Sequence, residues 1–226
     1  MPKEIHSKSV VGIKTTQIGS AVKVEFGGEH YLMTCLHNLS NDYESLNVGD
    51  KIAVKFLEYP VDGPTTTASG DNGRTYGEGV LSSEYELEIE SLDKHADYAL
   101  LSSPSELRGL LPAKIAIEDI ALQDTLSCYG YPQGLFDVEL STKDRVVPAM
   151  IERFANEFVP NSGDKWLACG GGPSLSGMSG GGVFDINGHL VGLIKARLTD
   201  PPERTMVIVL SALKLRVGDE ASAKKL

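Results

Sequence analysis

Ser176-Gly177-Met178-Ser179-Gly180-Gly181-Gly182-Val183-Phe184 is the stretch on which the reading of this chain turns. A serine set among glycines and followed by apolar residues has two physical readings. It is a tight turn between strands, where glycine takes backbone conformations that a Cβ opposes. Or it is a nucleophile on a sharp turn, with neighbouring N–H groups aimed at an oxyanion. The residues on either side of it decide.

Outward from this stretch the chain is a succession of short strand-like runs separated by turn residues. In the second half they fall at 114–117, 125–129, 136–141, 145–154, 165–169, 182–186, 190–197 and 205–210. In the first half they fall at 9–14, 20–26, 31–35, 51–58 and 85–92, with a further apolar run at 97–102. Gly27-Gly28-Glu29 reads as a hairpin turn. Ile52, Val54 and Phe56 alternate with charged or small residues, as in a half-buried strand. Leu87 and Ile89 alternate with Glu86, Glu88 and Glu90, whose acidic face reads as a solvated sheet surface and not a metal site. The Gly-, Thr-, Asp- and Asn-rich residues 60–79 read as the longest exposed loop. Ser103-Pro104-Ser105-Glu106-Leu107-Arg108-Gly109 caps one helical turn at most and then breaks it, so it is taken as a linker. Only 211–217 has a helical pattern, with Ser211 as N-cap and Leu213 and Leu215 to pack. About a dozen strands in two halves, without strand–helix alternation, predict an all-β chain of two antiparallel barrels or sandwiches.

Composition narrows the function. With 226 residues and 41% hydrophobic content, the chain can bury a sizeable core as one large domain or two lobes. A net charge of −10 argues against a nucleic-acid partner, because phosphate contacts need clustered Lys and Arg. No apolar run of about 18 residues is present to span a membrane, and Met1-Pro2-Lys3-Glu4 lacks a secretory pattern, so a cytoplasmic location is expected. Cys35, Cys128 and Cys169 are odd in number and widely spaced, which favours small buried hydrophobes over disulfides or a metal site. No cofactor is implied.

Three residues are then weighed together. His37 ends the apolar run Leu32-Met33-Thr34-Cys35-Leu36, where a histidine is either structural or a base. Asp97 opens Asp97-Tyr98-Ala99-Leu100-Leu101, where an acid either caps a turn or is buried against a specific partner. Ser179 follows. The order His, Asp, Ser is one of the chain orders of the acyl-transfer triad.

Here a family resemblance becomes specific. Thr34-Cys35-Leu36-His37 resembles the Thr-Ala-Ala-His segment of trypsin-like, chymotrypsin-fold serine peptidases, and Asp97-Tyr98-Ala99-Leu100-Leu101 resembles their Asp-Ile-Ala-Leu-Leu. Gly177-Met178-Ser179-Gly180-Gly181 is similar to Gly-Asp-Ser-Gly-Gly, and Gly188-His189-Leu190-Val191-Gly192-Leu193 to the strand after it. Gly19-Ser20 and Gly130-Tyr131-Pro132-Gln133-Gly134 point to the intracellular and bacterial HtrA-like branch, here without a PDZ domain. The likeness runs over about 10–210.

The resemblance implies two antiparallel six-stranded β-barrels with a short C-terminal helix. Residues 1–103 would form the barrel carrying His37 and Asp97, 104–112 the linker, 113–210 the barrel carrying Ser179, and 211–226 the helix and tail. It implies a serine endopeptidase acting through a His37–Asp97–Ser179 triad and an acyl-enzyme, with Gly177 and Ser179 forming the oxyanion hole and a protein or peptide as substrate. Pro173, Ser174 and Ser176 would line one wall of the specificity pocket, and Lys195, Ala196 and Arg197 the substrate-pairing strand. Lys195 and Arg197 either favour acidic substrate side chains or face solvent.

Two departures stand out. Met178 replaces an aspartate that pairs with a newly cut N-terminus in secreted members, so the site is either constitutively formed or switched otherwise, for instance by a partner ordering the Gly177 loop. Gly182 replaces a proline and is expected to loosen the start of its strand. The rival reading is a non-catalytic trypsin-fold binding module presenting an edge strand to a partner.

Overall fold

The structure is a computed structural model that describes residues 9–58, 68–69, 75–76, 80–104, 107, 110–116, 125–131, 147–152, 166–170, 177–198 and 204–210. Its strands in the first half are β1 (Val10–Lys14), β2 (Ile18–Phe26), β3 (Glu29–Cys35), β4 (Lys51–Glu58), β5 (Ala68–Ser69), β6 (Thr75–Tyr76), β7 (Val80–Asp93) and β8 (Tyr98–Ser102). Those in the second half are β9 (Thr125–Tyr129), β10 (Val147–Glu152), β11 (Trp166–Gly170), β12 (Gly182–Phe184), β13 (Leu190–Leu198) and β14 (Arg204–Val209). All ladders among them are antiparallel. One closed ring runs β1-β2-β3-β8-β7-β4, another runs β10-β11-β14-β13-β12-β9, and β5 pairs with β6 apart from both. Closure leaves neither ring an unpaired edge strand.

The burial pattern explains the two kinds of strand in the sequence. On β4 and β7, Val54, Phe56, Leu87 and Ile89 are buried, while Lys51, Ala53, Glu86, Glu88 and Glu90 are exposed. One face of these strands meets the interior and the other meets water. On β2, β3 and β8 both faces are buried. Val22, Val24, Met33, Cys35, Tyr98 and Leu100 pack in a cluster that also takes in Tyr129, Phe184, Leu190, Leu193 and Ile208 from the other ring. The alternate residues Ala21, Leu32, Ala99 and Leu101 belong to a cluster confined to the first half, with Val11, Ile13, Val54 and Phe56. The unbroken apolar run after Asp97 is therefore a strand clad on both sides, one side filling its own ring and the other joining the two.

A third cluster fills the second ring, with Leu126, Cys128, Met178, Val183, Val191, Ile194, Val207 and Val209. The aromatic contact Tyr129–Phe184, edge-on at 5.7 Å, sits at its border with the shared cluster. Cys35 and Cys128 are buried free thiols.

The structure amends several expected elements. The strand predicted at 114–117 is a connector with two single bridges, Val24–Ala113 to the first ring and Ile115–Leu190 to the second. Ala113 N–H donates to the Lys23 carbonyl at 2.8 Å and Leu190 N–H to the Lys114 carbonyl at 2.7 Å, so these residues lace the rings together instead of joining one ladder. Within 60–79 lies the small β5–β6 pair, and β7 starts earlier than the alternation of Glu and apolar residues indicates. Two single turns of 3₁₀ helix, Leu36–Asn38 and Tyr43–Ser45, follow β3 and had no sequence signal. The predicted strand at 136–141, the helix at 211–217 and residues 132–134 lie outside the described residues, as do parts of the 104–112 linker.

Candidate active site

Strand register brings the first two side chains together. β3 and β8 pair with Cys35 opposite Tyr98, so the residues just after Cys35 and just before Tyr98 meet at one end of the ladder. There Leu36 N–H donates to the Asp97 carbonyl at 3.1 Å, and the 3₁₀ turn that follows swings His37 over the aspartate. Asp97 holds φ at +62°, the one non-glycine among the described residues with positive φ. Aspartate tolerates that left-handed conformation better than most residues. It turns the carboxylate back on the histidine: Oδ1 accepts the His37 backbone N–H at 2.9 Å and Oδ2 accepts Nδ1–H at 2.6 Å. The Asp97 side chain is only 7% exposed, so these donors satisfy a nearly desolvated charge.

With Nδ1 donating to a carboxylate, Nε2 is left as an acceptor. It lies 3.0 Å from Ser179 Oγ. Ser179 Oγ has a second acceptor, the Lys195 carbonyl. The hydroxyl has a single proton, so it donates either to the Lys195 carbonyl or to Nε2 of a neutral imidazole, not to both at once. A protonated imidazole would donate to Oγ and leave the hydroxyl proton to the carbonyl.

The Ser179 loop is clamped from both rings. Gly180 N–H donates to the Ile194 carbonyl and Ile194 N–H to the Gly181 carbonyl, each at 2.8 Å. From the first ring, Ser20 N–H reaches the Ser179 carbonyl at 2.7 Å, and Ser20 Oγ donates to the Gly177 carbonyl at 2.9 Å. Gly180, at φ +81°, has no room for a side chain: a Cβ would stand 2.1 Å from the Ser20 carbonyl oxygen and 2.3 Å from Thr34 Oγ1. Gly177 also has positive φ, at +90°. Among the described residues, the N–H groups of Gly177 and Ser179 donate to no acceptor, whereas those of Gly180 and Gly181 do. Two adjacent, uncommitted N–H groups beside a serine hydroxyl are what an oxyanion hole requires.

Both departures from the family pattern have a structural account. Met178 is buried in the second-ring cluster, so an apolar contact anchors the loop where secreted relatives of this pattern use an ion pair. Gly182 is buried between β9 and β13, and a Cβ there would fall 2.4 Å from the Phe184 ring. The expectation that Gly182 loosens the strand is thus corrected: the missing side chain lets Phe184 close over the strand.

The residues expected to contact substrate fare unevenly. Pro173, Ser174 and Ser176 lie outside the described residues. Ala196 and Arg197 continue β13, paired with Met206 and Thr205 of β14. The β12 ladder ends at Gly182–Leu193, so β12 does not pair with 195–197. Lys195 sits at a register shift between Ile194 and Ala196, and its Nζ lies 3.5 Å from Asp97 Oδ2. Its charge is turned to the carboxylate, which is neither the pocket wall nor the solvent face that regular alternation offered.

Four further residues support the site: Asn38, Thr34, Ser20 and Gly19. The Asn38 amide donates to the Ser179 carbonyl at 2.8 Å and to Thr34 Oγ1 at 3.1 Å, and Thr34 Oγ1 donates to the Ser20 carbonyl at 2.7 Å. Gly19 makes space for Asn38, whose amide carbon lies 2.5 Å from where a Cβ would be. Nothing local marks Asn38, because its partner is 141 residues away. Ser20 was legible only as part of a motif.

Cys35 Sγ, His37 and Asp97 offer ligand-type atoms within 4.8 Å of one another. They do not suit a metal. Burial, with the charge of Asp97 adding to it, pushes the Cys35 thiol well above its ordinary range and away from the thiolate a metal needs. Its S–H points to the Ile194 carbonyl at 3.2 Å.

The model of the trypsin-like peptidase domain matches residues 19–193. No match was found among curated protein sequences. Among solved structures, the chain is similar to Rv3671c from M. tuberculosis H37Rv in an inactive form, at 18% identity and a TM-score of 0.56, with 92% of this chain and 84% of that one covered. It is also similar to a serine endoprotease from Yersinia pestis, at 18% identity and a TM-score of 0.58, covering 99% of this chain and 63% of the other. A third is the HtrA-type protease AlgW with a tripeptide, at 19% identity and a TM-score of 0.62, covering 94% and 60%.

Proposed function

The chain belongs to the trypsin-like peptidase domain family, and from that premise we propose that it is a serine endopeptidase in which His37, Asp97 and Ser179 are the catalytic triad. The observation that carries this reading is the continuous hydrogen-bond chain from Asp97 Oδ2 through His37 to Ser179 Oγ, at 2.6 and 3.0 Å.

His37 Nε2 takes the Ser179 proton as Oγ attacks a peptide carbonyl, and the tetrahedral oxyanion settles on the N–H groups of Gly177 and Ser179. The imidazolium gives that proton to the leaving amine, the C–N bond breaks, and an acyl-serine remains. Water, deprotonated by His37, then releases the acid and restores the hydroxyl. Asp97 holds the tautomer and balances the imidazolium charge.

The finer reading follows the same family pattern. The two rings are the paired barrels of a chymotrypsin-like fold, within 1–103 and 113–210, joined by 104–112. Peptide substrate pairs with 195–197 on the side away from β14, beside a pocket walled by Pro173, Ser174 and Ser176. Lys195 is engaged with Asp97, so a preference for acidic side chains rests on Arg197. The protein works in the cytoplasm. Met178, clamped by packing, supports a loop formed without N-terminal cleavage, and a partner that engages the Gly177 loop would raise activity further.

The test compares the chain with Ser179→Ala for hydrolysis of a protein substrate and labelling by a fluorophosphonate. Activity and labelling should both vanish in the variant, a loss on the order of 10⁶-fold in kcat. Equal residual hydrolysis with no labelling of either protein leaves the binding-module reading in its place.

A further inference from the structure

Lys195 does more at this site than lie on the substrate-pairing strand. β13 shifts register against β14 between Ile194 and Ala196. An irregularity of this kind re-aims a side chain that regular alternation would send elsewhere. Here the ammonium reaches 3.5 Å from Asp97 Oδ2, the same oxygen that accepts His37 Nδ1–H at 2.6 Å. The lysine side chain is only 17% exposed and the aspartate 7%, so water screens this pair much less than a surface ion pair. The same residue's carbonyl accepts from Ser179 Oγ.

Resting on the triad reading, we propose that Lys195 is a positioning and charge-setting residue of the catalytic unit, a cation that neutralises Asp97 at rest and opposes the build-up of positive charge on His37. The groups facing the carboxylate come from each element around it. His37 comes from the 3₁₀ turn, Cys35 with its neutral thiol from the end of β3 and Lys195 from β13. Among them Lys195 brings the one permanent positive charge. Without it, Asp97 faces His37 as an uncompensated anion and favours the imidazolium, which cannot accept the serine proton.

The sign is testable. In Lys195→Met and Lys195→Gln, the acid limb of the kcat/KM profile should move to higher pH, because the carboxylate then faces His37 without the cation. Lys195→Arg, which keeps the charge, should keep the limb. In parallel, the pH at which the His37 ring protons titrate is followed by NMR in the same proteins, with His37→Gln identifying the signal. It should move in the same direction in the neutral variants. Unmoved profiles in both neutral variants overturn the proposal, as does an equal shift in Lys195→Arg, which would mark a packing effect. If the NMR titration moves while the unaltered chain cleaves no peptide, the charge coupling stands and the peptidase reading is the one that fails.

Discussion

The two halves of the site are built by different means. The His37–Asp97 half is a product of strand register: β3 and β8 pair with Cys35 opposite Tyr98, Asp97 is the first residue beyond that pair, and the 3₁₀ turn that begins at Leu36 brings His37 over it. The Ser179 half is a product of exclusion, a loop whose path is set by what cannot fit at Gly180 and by hydrogen bonds from both rings. A register-built site positions side chains through many ladder bonds and tolerates small changes in any one. A site built by exclusion depends on single atoms, and one added methyl alters it.

The largest effect should come from changing chemistry in the first half while keeping its shape. Asp97→Asn leaves the ladder intact but offers an amide where His37 Nδ1–H needs an acceptor, so kcat should fall by about 10⁴-fold near neutral pH with stability little changed. Steady-state rates and urea unfolding measured together check it. An equal loss of stability would mean that the first half is not held by its strands.

The second half should fail in the opposite way. Gly180→Ala forces a Cβ to within 2.1 Å of backbone at φ +81°. It should lower stability by about 2–4 kcal/mol and, by displacing Ser179, lower kcat by about 100-fold. Gly28→Ala is the control, since φ is +86° there but a Cβ meets nothing within 4 Å. It should cost about 1 kcal/mol and no activity. Similar losses at both positions would show that strain, not contact, shapes the loop.

The smallest effect is a drift of stability with alkaline pH, and it belongs to the β3–β8 pair. Burial, then the charge of Asp97, raises the Cys35 thiol well above its ordinary range, and burial alone raises the Tyr98 hydroxyl, which is buried without a partner. Both groups hold their protons longer folded than unfolded. Their contribution is complete below about pH 9, near the ordinary value for a thiol, and is lost as pH rises, by up to about 1.4 kcal/mol per unit for each group. Chemical unfolding from pH 8 to 11 with Cys35→Ser and Tyr98→Phe isolates each part, the thiol's loss beginning near pH 9 and the phenol's near pH 10; a slope unaffected by either change counts against the assignment.

Most strands were legible because their residues announce which faces are buried. Val54, Phe56, Leu87 and Ile89 alternate with charges, and 97–102 carries no polar break because both of its faces are covered. The strand expected at 114–117 misled for a related reason. Apolar content reports packing, and Ile115 and Ala116, half-buried against the shared and the second-ring clusters, pack there without joining a ladder. The three triad residues were legible as types in an order, each with a bland alternative that only neighbours could remove.

By itself the sequence determined the all-β character, the identities and order of His37, Asp97 and Ser179, and the glycines that a tight loop demands. These follow from local chemistry, namely period-two burial and the steric freedom of glycine. The tertiary structure alone decided that Asp97 adopts a positive φ, that Asn38 and Ser20 tie the nucleophile loop to the first ring, and that the register shift aims Lys195 at the triad. Each depends on contacts between residues far apart in the chain or on a shift in strand register, and no window of sequence carries that information.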